Sequence, residues 1–253
     1  KTGKGKGFAA DLTNVEACAK RIAIKSKTNK IVIEKSTLPV RTAEKIKEVL
    51  KKFNKRNNFE VISNPEFLAE GTAIENLYKS DRVLIGGENT DSGKKAVNEL
   101  VGIYKHWMPE SKILKTSVWS SELAKLASNA MLAQRISSIN SFSAICEKTG
   151  ASIQEISKAI GMDNRIGPKF LEPSVGFGGS CFKKDILNLV YLARFYKLND
   201  IANYWYNVVK INSFQMIRFA EKITNHINEN KKSKVVSILG WAFKSNTNDS
   251  RES

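Results

Sequence analysis

Cysteine is scarce in this chain of 253 residues: Cys18, Cys146 and Cys181 stand far apart. Their spacing fits neither a metal site nor a disulfide framework, so no metal is expected, and a reducing, cytoplasmic compartment is the natural reading. No apolar run approaches membrane-spanning length, which argues against a membrane protein. The opening KTGKGKGF lacks the apolar core of a signal peptide. Acidic residues are few beside basic ones, 25 against 41, for a net charge of +16. Such a surplus suits an anionic partner of some kind, whether nucleic acid, an acidic membrane or a small molecule. The lysines are dispersed, however, and no RRM or zinc-finger signature is present, so a nucleic-acid function is not expected. The densest cluster, Lys51-Lys52-Phe53-Asn54-Lys55-Arg56, reads as a solvated helix end. One further absence matters: no G-x-G-x-x-G stands between a strand and a helix, although a dinucleotide-binding α/β domain normally opens that way.

What is present is globular. Hydrophobic residues make up 42% of the chain and aromatics 9%, enough for a real core in one large domain or two small ones. Ala9 to Ile24 has helical periodicity, and Lys30 to Glu34 is a short buried strand. Ser36-Thr37-Leu38-Pro39 carries the signals of a helix start and predicts a helix to about Leu50 or Lys52. Strands follow at Phe59 to Ile62, at Arg82 to Ile85 ahead of Gly86-Gly87, and near Lys112 to Leu114. A helix from Asp91 to Tyr104 separates the last two. This alternation implies an α/β fold with a parallel sheet.

From Ser117 the pattern changes. Leu123, Leu126, Ala127, Ala130, Met131, Ile136, Ile139 and Ile145 recur at steps of three and four, marking a helix of roughly 30 residues. Further helices are predicted at Ser152 to Ile160, Phe182 to Tyr196 and Ile201 to Ile227. Lys234 to Phe243 then reads as the first strand of another α/β unit. The segments are therefore 1–116, 117–232 and 233–253. The missing fingerprint and the solitary last strand point to a fragment of a larger protein, expected to be inactive alone.

The most informative string is Gly176-Phe177-Gly178-Gly179-Ser180-Cys181-Phe182-Lys183-Lys184-Asp185. It delivers a cysteine through a glycine turn to a helix N-terminus. The positive end of the helix and the two lysines both favour a thiolate. Asp185, four residues on, shares a helical face with Cys181. A nucleophile, an anion-friendly turn and a carboxylate so close together suggest covalent catalysis, although a lone cysteine before a helix is usually a small buried hydrophobe. Lys125 and Asn129 lie one turn apart on the long helix, and an ammonium with a carboxamide can hold a developing oxyanion. Glu66 and Glu70, in Asn64-Pro65-Glu66-Phe67-Leu68-Ala69-Glu70-Gly71, follow the second strand. If a helix starts there they are one turn apart, able to move protons or simply to cap it.

The cysteine string resembles the active-site segment of the UDP-glucose 6-dehydrogenases, within the UDP-glucose/GDP-mannose dehydrogenase family. The segments at Glu34–Val40, Asn64–Gly71, Ser120–Asn129, Gly161–Gly167, Ala242-Phe243-Lys244 and Asp249-Ser250-Arg251-Glu252-Ser253 resemble the same enzymes in order. The resemblance implies a partial Rossmann-like sheet (1–116, the later half of an NAD-binding domain), a helical central domain that dimerises (117–232), and the start of a UDP-binding domain (233–253). It implies NAD as cofactor and a UDP-sugar as substrate, with a homodimer or larger homo-oligomer built through the long helix. Catalysis would fall to Cys181, Lys125, Asp185, Asn129, Glu66 and Thr37. The sugar nucleotide would meet Glu66, Phe67, Leu68, Ala69, Glu70, Lys125, Asn129, Arg165, Phe170, Leu171, Gly176, Phe177, Gly178, Phe243 and Lys244, Arg165 reaching in from a neighbouring subunit. NAD would meet Ser36, Thr37, Leu38, Glu70, Cys181, Lys184 and Arg251. Glu172 departs from the pattern, since some members carry a basic residue after Phe-Leu.

The implied reaction is a two-step oxidation of UDP-glucose to UDP-glucuronate through a cysteine thiohemiacetal and thioester. The alternatives are a related dehydrogenase of GDP-mannose or a UDP-N-acetylhexosamine, and a non-catalytic assembly module.

Overall fold

Apolar residues on both faces of Phe59-Glu60-Val61-Ile62-Ser63 make this segment an interior strand, because each face must find a cover. The computed structural model, which describes residues 8–229 and 235–253, places it in a sheet ordered β1-β2-β3-β4. The strands are β1 (Lys30–Glu34), β2 (Phe59–Ser63), β3 (Val83–Gly87) and β4 (Ile113–Ser117). The helices before β4 are α1 (Thr13–Lys25), α2 (Thr42–Phe53), α3 (Ala73–Tyr78) and α4 (Asp91–Tyr104). After it come α5 (Val118–Thr149), α6 (Ile153–Gly161), α7 (Phe182–Phe195) and α8 (Asn199–Glu229). Two compact units result, one ending at Ala127 and the other beginning at Ser128.

In the first unit α4 covers one face of the sheet, where Leu100 and Val101 pack with Ile62, Ile85 and Ile113. On the other face Ala23 of α1 and Ile46 and Leu50 of α2 pack with Phe59 and Val61. Burial of each large side chain contributes about 2 kcal/mol, so the period of two in β2 is satisfied from both sides.

The sheet is mixed where the sequence predicts a parallel one. β1 with β2 and β3 with β4 are parallel, but β2 and β3 run antiparallel, meeting at Ser63 and Gly86. A parallel pair needs a crossover element packed on the sheet. The β2–β3 connection holds only the short α3, which buries none of its residues.

The start of α2 also differs from expectation. Neither Ser36 nor Thr37 opens it; the helix begins at Thr42, after Arg41 at φ +76°. Its N-terminal donors are met from afar, Arg41 N–H and Ala43 N–H donating to the Glu122 carboxylate at 2.7 and 2.8 Å. A carboxylate at a helix N-terminus satisfies orphan N–H groups and favours the dipole.

In the second unit α7 packs on α8, and the buried side chains include Ala133 and Ile139 of α5, Ile186 and Val190 of α7, and Ala202 and Val208 of α8. Ser137 Oγ donates to Val208 O at 2.9 Å, fixing α5 against α8. α6 starts as predicted, with Ser152 Oγ accepting from Glu155 N–H. The strand expected at Lys234 to Phe243 is not formed over 235–243, where Val235, Ile238, Leu239 and Trp241 stand exposed. A strand needs a neighbour for its backbone groups, and the described residues of the second unit contain no other strand. The opening KTGKGKG, the last of the helical block past Glu229, and Lys234 lie outside the described residues. Among the described residues no helix is long and apolar enough to cross a membrane.

Candidate active site

The chemistry of the first unit gathers where β1 and β2 end. Asn64, 1% exposed, is the junction. Its N–H donates to Glu34 O (2.8 Å) and its Nδ2 to Leu84 O (2.8 Å), tying β1 and β3 to the residue after β2. Its Oδ1 accepts from Tyr104 OH (2.7 Å) and Lys35 Nζ (3.1 Å). Asn64 is thus committed to the scaffold, and it aims the loop that follows.

That loop is not helical at Glu66 and Glu70, so the one-turn pairing expected of them does not occur. Helix formation is pre-empted by a tight local bond, Leu68 N–H to Glu66 Oε2 at 2.7 Å. Glu66 Oε1 lies 3.5 Å from Lys125 Nζ. The Phe67 ring has Lys125 Nζ 5.2 Å from its centre and the Arg82 guanidinium 3.8 Å from it. Lys125 is only 6% exposed, and a buried ammonium requires such company: a carboxylate and an aromatic face. Leu68 is half-buried, whereas Ala69 and Glu70 are exposed. Ser36 is exposed and Thr37 and Leu38 half-buried, with both hydroxyls left out of the α2 cap that Glu122 provides.

Beside that cap lies a carboxyl pair that no local pattern in the chain announces. Glu34, at the end of β1, is buried against Glu122. Burial first, then the Glu122 charge and a hydrogen bond to it, push the Glu34 carboxyl up from the ordinary 4.5 to about 8. Its Oε2 finds no donor, and as the neutral acid Glu34 itself becomes the donor to Glu122. Because the folded state holds this proton and the unfolded chain releases it near 4.5, stability is fully present below 4.5 and is lost as pH rises towards 8. The expected result is a thermal midpoint that falls between pH 5 and 9. Glu34→Gln, whose amide donates without titrating, flattens that slope. An identical slope in wild type and variant would remove this assignment.

In the second unit Asn129 Nδ2 donates to Asp185 Oδ2 at 2.6 Å, and Lys184 Nζ lies 2.9 Å from Asp185 Oδ1. Asp185 is 1% exposed and sits in the first turn of α7, its N–H bonded to Cys181 O at 2.9 Å. Cys181 is the residue just ahead of α7 and is exposed, with Ser180 Oγ 3.8 Å from Sγ. The thiol is therefore not the buried hydrophobe that a lone cysteine usually is. The two lysines expected to favour a thiolate are engaged by carboxylates, Lys184 by Asp185 and Lys183 by Glu252 at 2.6 Å.

The remaining predicted residues divide by environment. Gly178 and Gly179 lie against the 242–253 segment: a side chain on Gly178 would meet Glu252 O at 2.4 Å, and one on Gly179 the Phe243 ring at 2.9 Å. That segment turns on Phe243 N–H to Asp249 O (3.0 Å), with exposed Lys244 at one side. Arg251 binds Asp249 through Nε and Nη2, both at 2.8 Å, and holds its carboxyl down at about 2. Arg165 is 89% exposed at its side chain and paired with Asp163. Phe170 is exposed at φ +62°, and Glu172 is exposed as well. Leu171 is buried under α6, close to Gly161, and the Phe177 ring is buried against Phe182 (centres 5.7 Å apart), so both serve packing.

The sequence matches the UDP-glucose/GDP-mannose dehydrogenase family, NAD binding domain, over residues 2–108, and that family's central domain over residues 119–214. UDP-glucose 6-dehydrogenase of Mus musculus is 58% identical over 252 residues, covering 99% of this chain and 51% of that protein. UDP-glucose 6-dehydrogenase 5 of Oryza sativa subsp. japonica is 56% identical over 250 residues, 99% of this chain and 52% of that protein. The solved structure of a UDP-glucose dehydrogenase from the hyperthermophilic archaeon Pyrobaculum islandicum superposes with a TM-score of 0.86 at 32% identity, over 97% of this chain and 56% of that one. The chain spans about half the length of the curated relatives it matches.

Proposed function

This chain belongs to the UDP-glucose/GDP-mannose dehydrogenase family, and we propose that it serves the NAD-dependent, four-electron oxidation of UDP-glucose to UDP-glucuronate through Cys181. The observation that carries the reading is an exposed thiol at the head of α7, one turn before a buried carboxylate locked to Asn129. The family's NAD-binding and central domains, as read over 1–116 and 117–232, and the start of a UDP-binding domain at 233–253, complete the proposal.

The residues present fit NAD. The hydroxyls of Ser36 and Thr37 stand at the end of β1 and are not consumed by the helix cap. Ligands of such sheets bind beyond the strand ends. Ser36, Thr37, Leu38 and Glu70 would hold the cofactor. When bound, NAD supplies the hydride acceptor for both oxidations.

The chain's own groups do the rest. A carboxylate, Asp185 or Glu66 acting through water, takes the proton of the C6 hydroxyl, while Lys125 and the second N–H of Asn129 steady the oxygen. Loss of that proton and a hydride turns the alcohol into an aldehyde. Cys181 Sγ adds to the aldehyde carbon and gives a thiohemiacetal, restoring a carbon that bears both hydrogen and an oxygen able to push a hydride out. Its oxidation leaves a thioester. Water cleaves the C–S bond, returning the thiol and releasing the carboxylate. Two hydrides leave per sugar, and one water oxygen enters.

The full-length protein is expected to form two NADH per UDP-glucose and to prefer it to GDP-mannose and UDP-N-acetylhexosamines. One NADH per sugar, or preference for either competitor, would overturn the substrate assignment. A homo-oligomer is part of the proposal, supported by exposed Met131, Phe142 and Ile145 on α5 and exposed Phe214 and Ile217 on α8. A monomeric mass by light scattering would remove it. A cytoplasmic setting rests on the three free cysteines and is tested by fractionation of cells.

A further inference from the structure

Between Gly161 and α7 the second unit runs through about twenty residues without helix or strand, ending at Cys181. Such a loop holds a nucleophile in place only if something outside it fixes its backbone. α5 secures the early part: Arg135 donates to Ile166 O, Gly167 O and Lys169 O at 2.8–2.9 Å. Ser174 is held next, its N–H by Asn140 Oδ1 (2.8 Å) and its carbonyl by Gln215 Nε2 (2.6 Å). Nearer the thiol the grip passes to one side chain of α8. Asn212 Oδ1 accepts from Phe177 N–H at 2.7 Å, and its Nδ2 donates to Phe177 O at 2.9 Å.

We propose that Asn212 is a positioning residue for Cys181, its carboxamide acting as a surrogate strand that fixes both backbone groups of Phe177. Asn212 is 6% exposed and Phe177 7%, so neither bond competes with water. Holding the N–H and the C=O of one residue orients the peptide planes on both sides of it. The Phe177 ring then abuts Phe182, the first residue of α7, edge to face. Cys181 is thereby bracketed, through Asn212 and Phe177 on one side and through α7 on the other. The two glycines between Phe177 and the Ser180-Cys181 pair have no side chains of their own to restrain the turn. Gly176 closes the case: at φ +130°, any side chain on it would begin 2.8 Å from Asn212 Oδ1. Glycine is needed there for the amide to reach Phe177.

The inference rests on the covalent role of Cys181. Misplacing the sulfur by about 1 Å is expected to cost on the order of a hundred-fold in the step that needs it, the addition to the aldehyde. The first oxidation does not use the thiol. The test is Asn212→Asp in the full-length enzyme, a substitution that keeps the shape and the acceptor but turns the donor to Phe177 O into a repelling oxygen. The fast phase should fall from two NADH per UDP-glucose towards one, with an aldehyde trapped by a hydrazide and KM for UDP-glucose changed less than about three-fold. Asn212→Ser, which retains a donor and an acceptor, should recover part of the second step. It carries the same test should the Asp variant not fold.

A loss shared equally by both steps with the ratio still at two, or no loss in folded variants, would overturn the proposal. Cys181→Ser serves as control. If it also yields two NADH per sugar in the fast phase, the covalent reading fails and this inference with it. If it uncouples the steps while Asn212→Asp and Asn212→Ser do not, the inference alone fails.

Discussion

Replacing Cys181 by serine in the full-length enzyme is expected to stop the reaction halfway. The alcohol-to-aldehyde step needs a base and an oxygen clamp, and the variant keeps both. The aldehyde-to-acid step needs a nucleophile on the carbonyl carbon, and a serine hydroxyl lacks the acidity of a thiol and forms a poorer leaving group. A water molecule can add instead, but without the advantage of a held group. Steady-state turnover should therefore drop by at least about a thousand-fold, equivalent to about 4 kcal/mol of barrier, while a first NADH per site still appears quickly. The measurement is a rapid-mixing trace at 340 nm with mass spectrometry of the quenched protein. Wild type should show an acyl adduct on the peptide carrying Cys181, and the variant none. Because the side chain is exposed, the substitution leaves the core intact, and a loss of activity cannot be attributed to unfolding. Turnover within a few-fold of wild type would end the covalent mechanism.

Lys125→Met should slow the first step, where Cys181→Ser slows the second. Methionine fills the buried volume of the lysine stem without its charge, so packing is conserved. What goes is the ammonium 3.5 Å from Glu66, and with it the donor proposed for the oxygen of the reacting alcohol. Loss of one such donor costs on the order of a hundred- to a thousand-fold in kcat. The stability change should be modest, because Glu66 is partly solvated and keeps the N–H of Leu68. KM for UDP-glucose should move little, since the interaction matters as the charge develops. A kcat within three-fold of wild type, with the fold intact, would move the oxygen clamp to another residue.

Much of the site was legible because its chemistry is written in short strings. Cys181 and Asp185 sit four apart at a helix start, and the structure places Cys181 just ahead of α7 and Asp185 in its first turn, joined by Asp185 N–H to Cys181 O. Lys125 and Asn129 fall on α5, whose three-and-four periodicity marked nearly its full length. The helix expected at Glu66 and Glu70 failed because a side-chain turn, closed by Leu68 N–H on Glu66 Oε2, satisfies the carboxylate locally before any helical bond forms. Asn212 and Gln215 did carry a signal: they continue the buried stripe of Val208 and Val209 at helical spacing, where amides are unusual.

Residue types and local spacing, then, decided which groups can do chemistry and which segments become helix or strand. Tertiary contact decided how those groups are used. Glu122, 81 residues from Arg41, took the cap of α2 that Ser36 and Thr37 were expected to supply, and the hydroxyls were left for other duty. Glu252 took Lys183, 69 residues away, and Asn212 took the backbone of Phe177, 35 residues away. The short α3 left β3 antiparallel to β2. For the cap of α2 and the backbone of Phe177 the physical reason is the same. A buried polar group must find a partner, and which partner is within 3 Å depends on packing between elements rather than on neighbours along the chain.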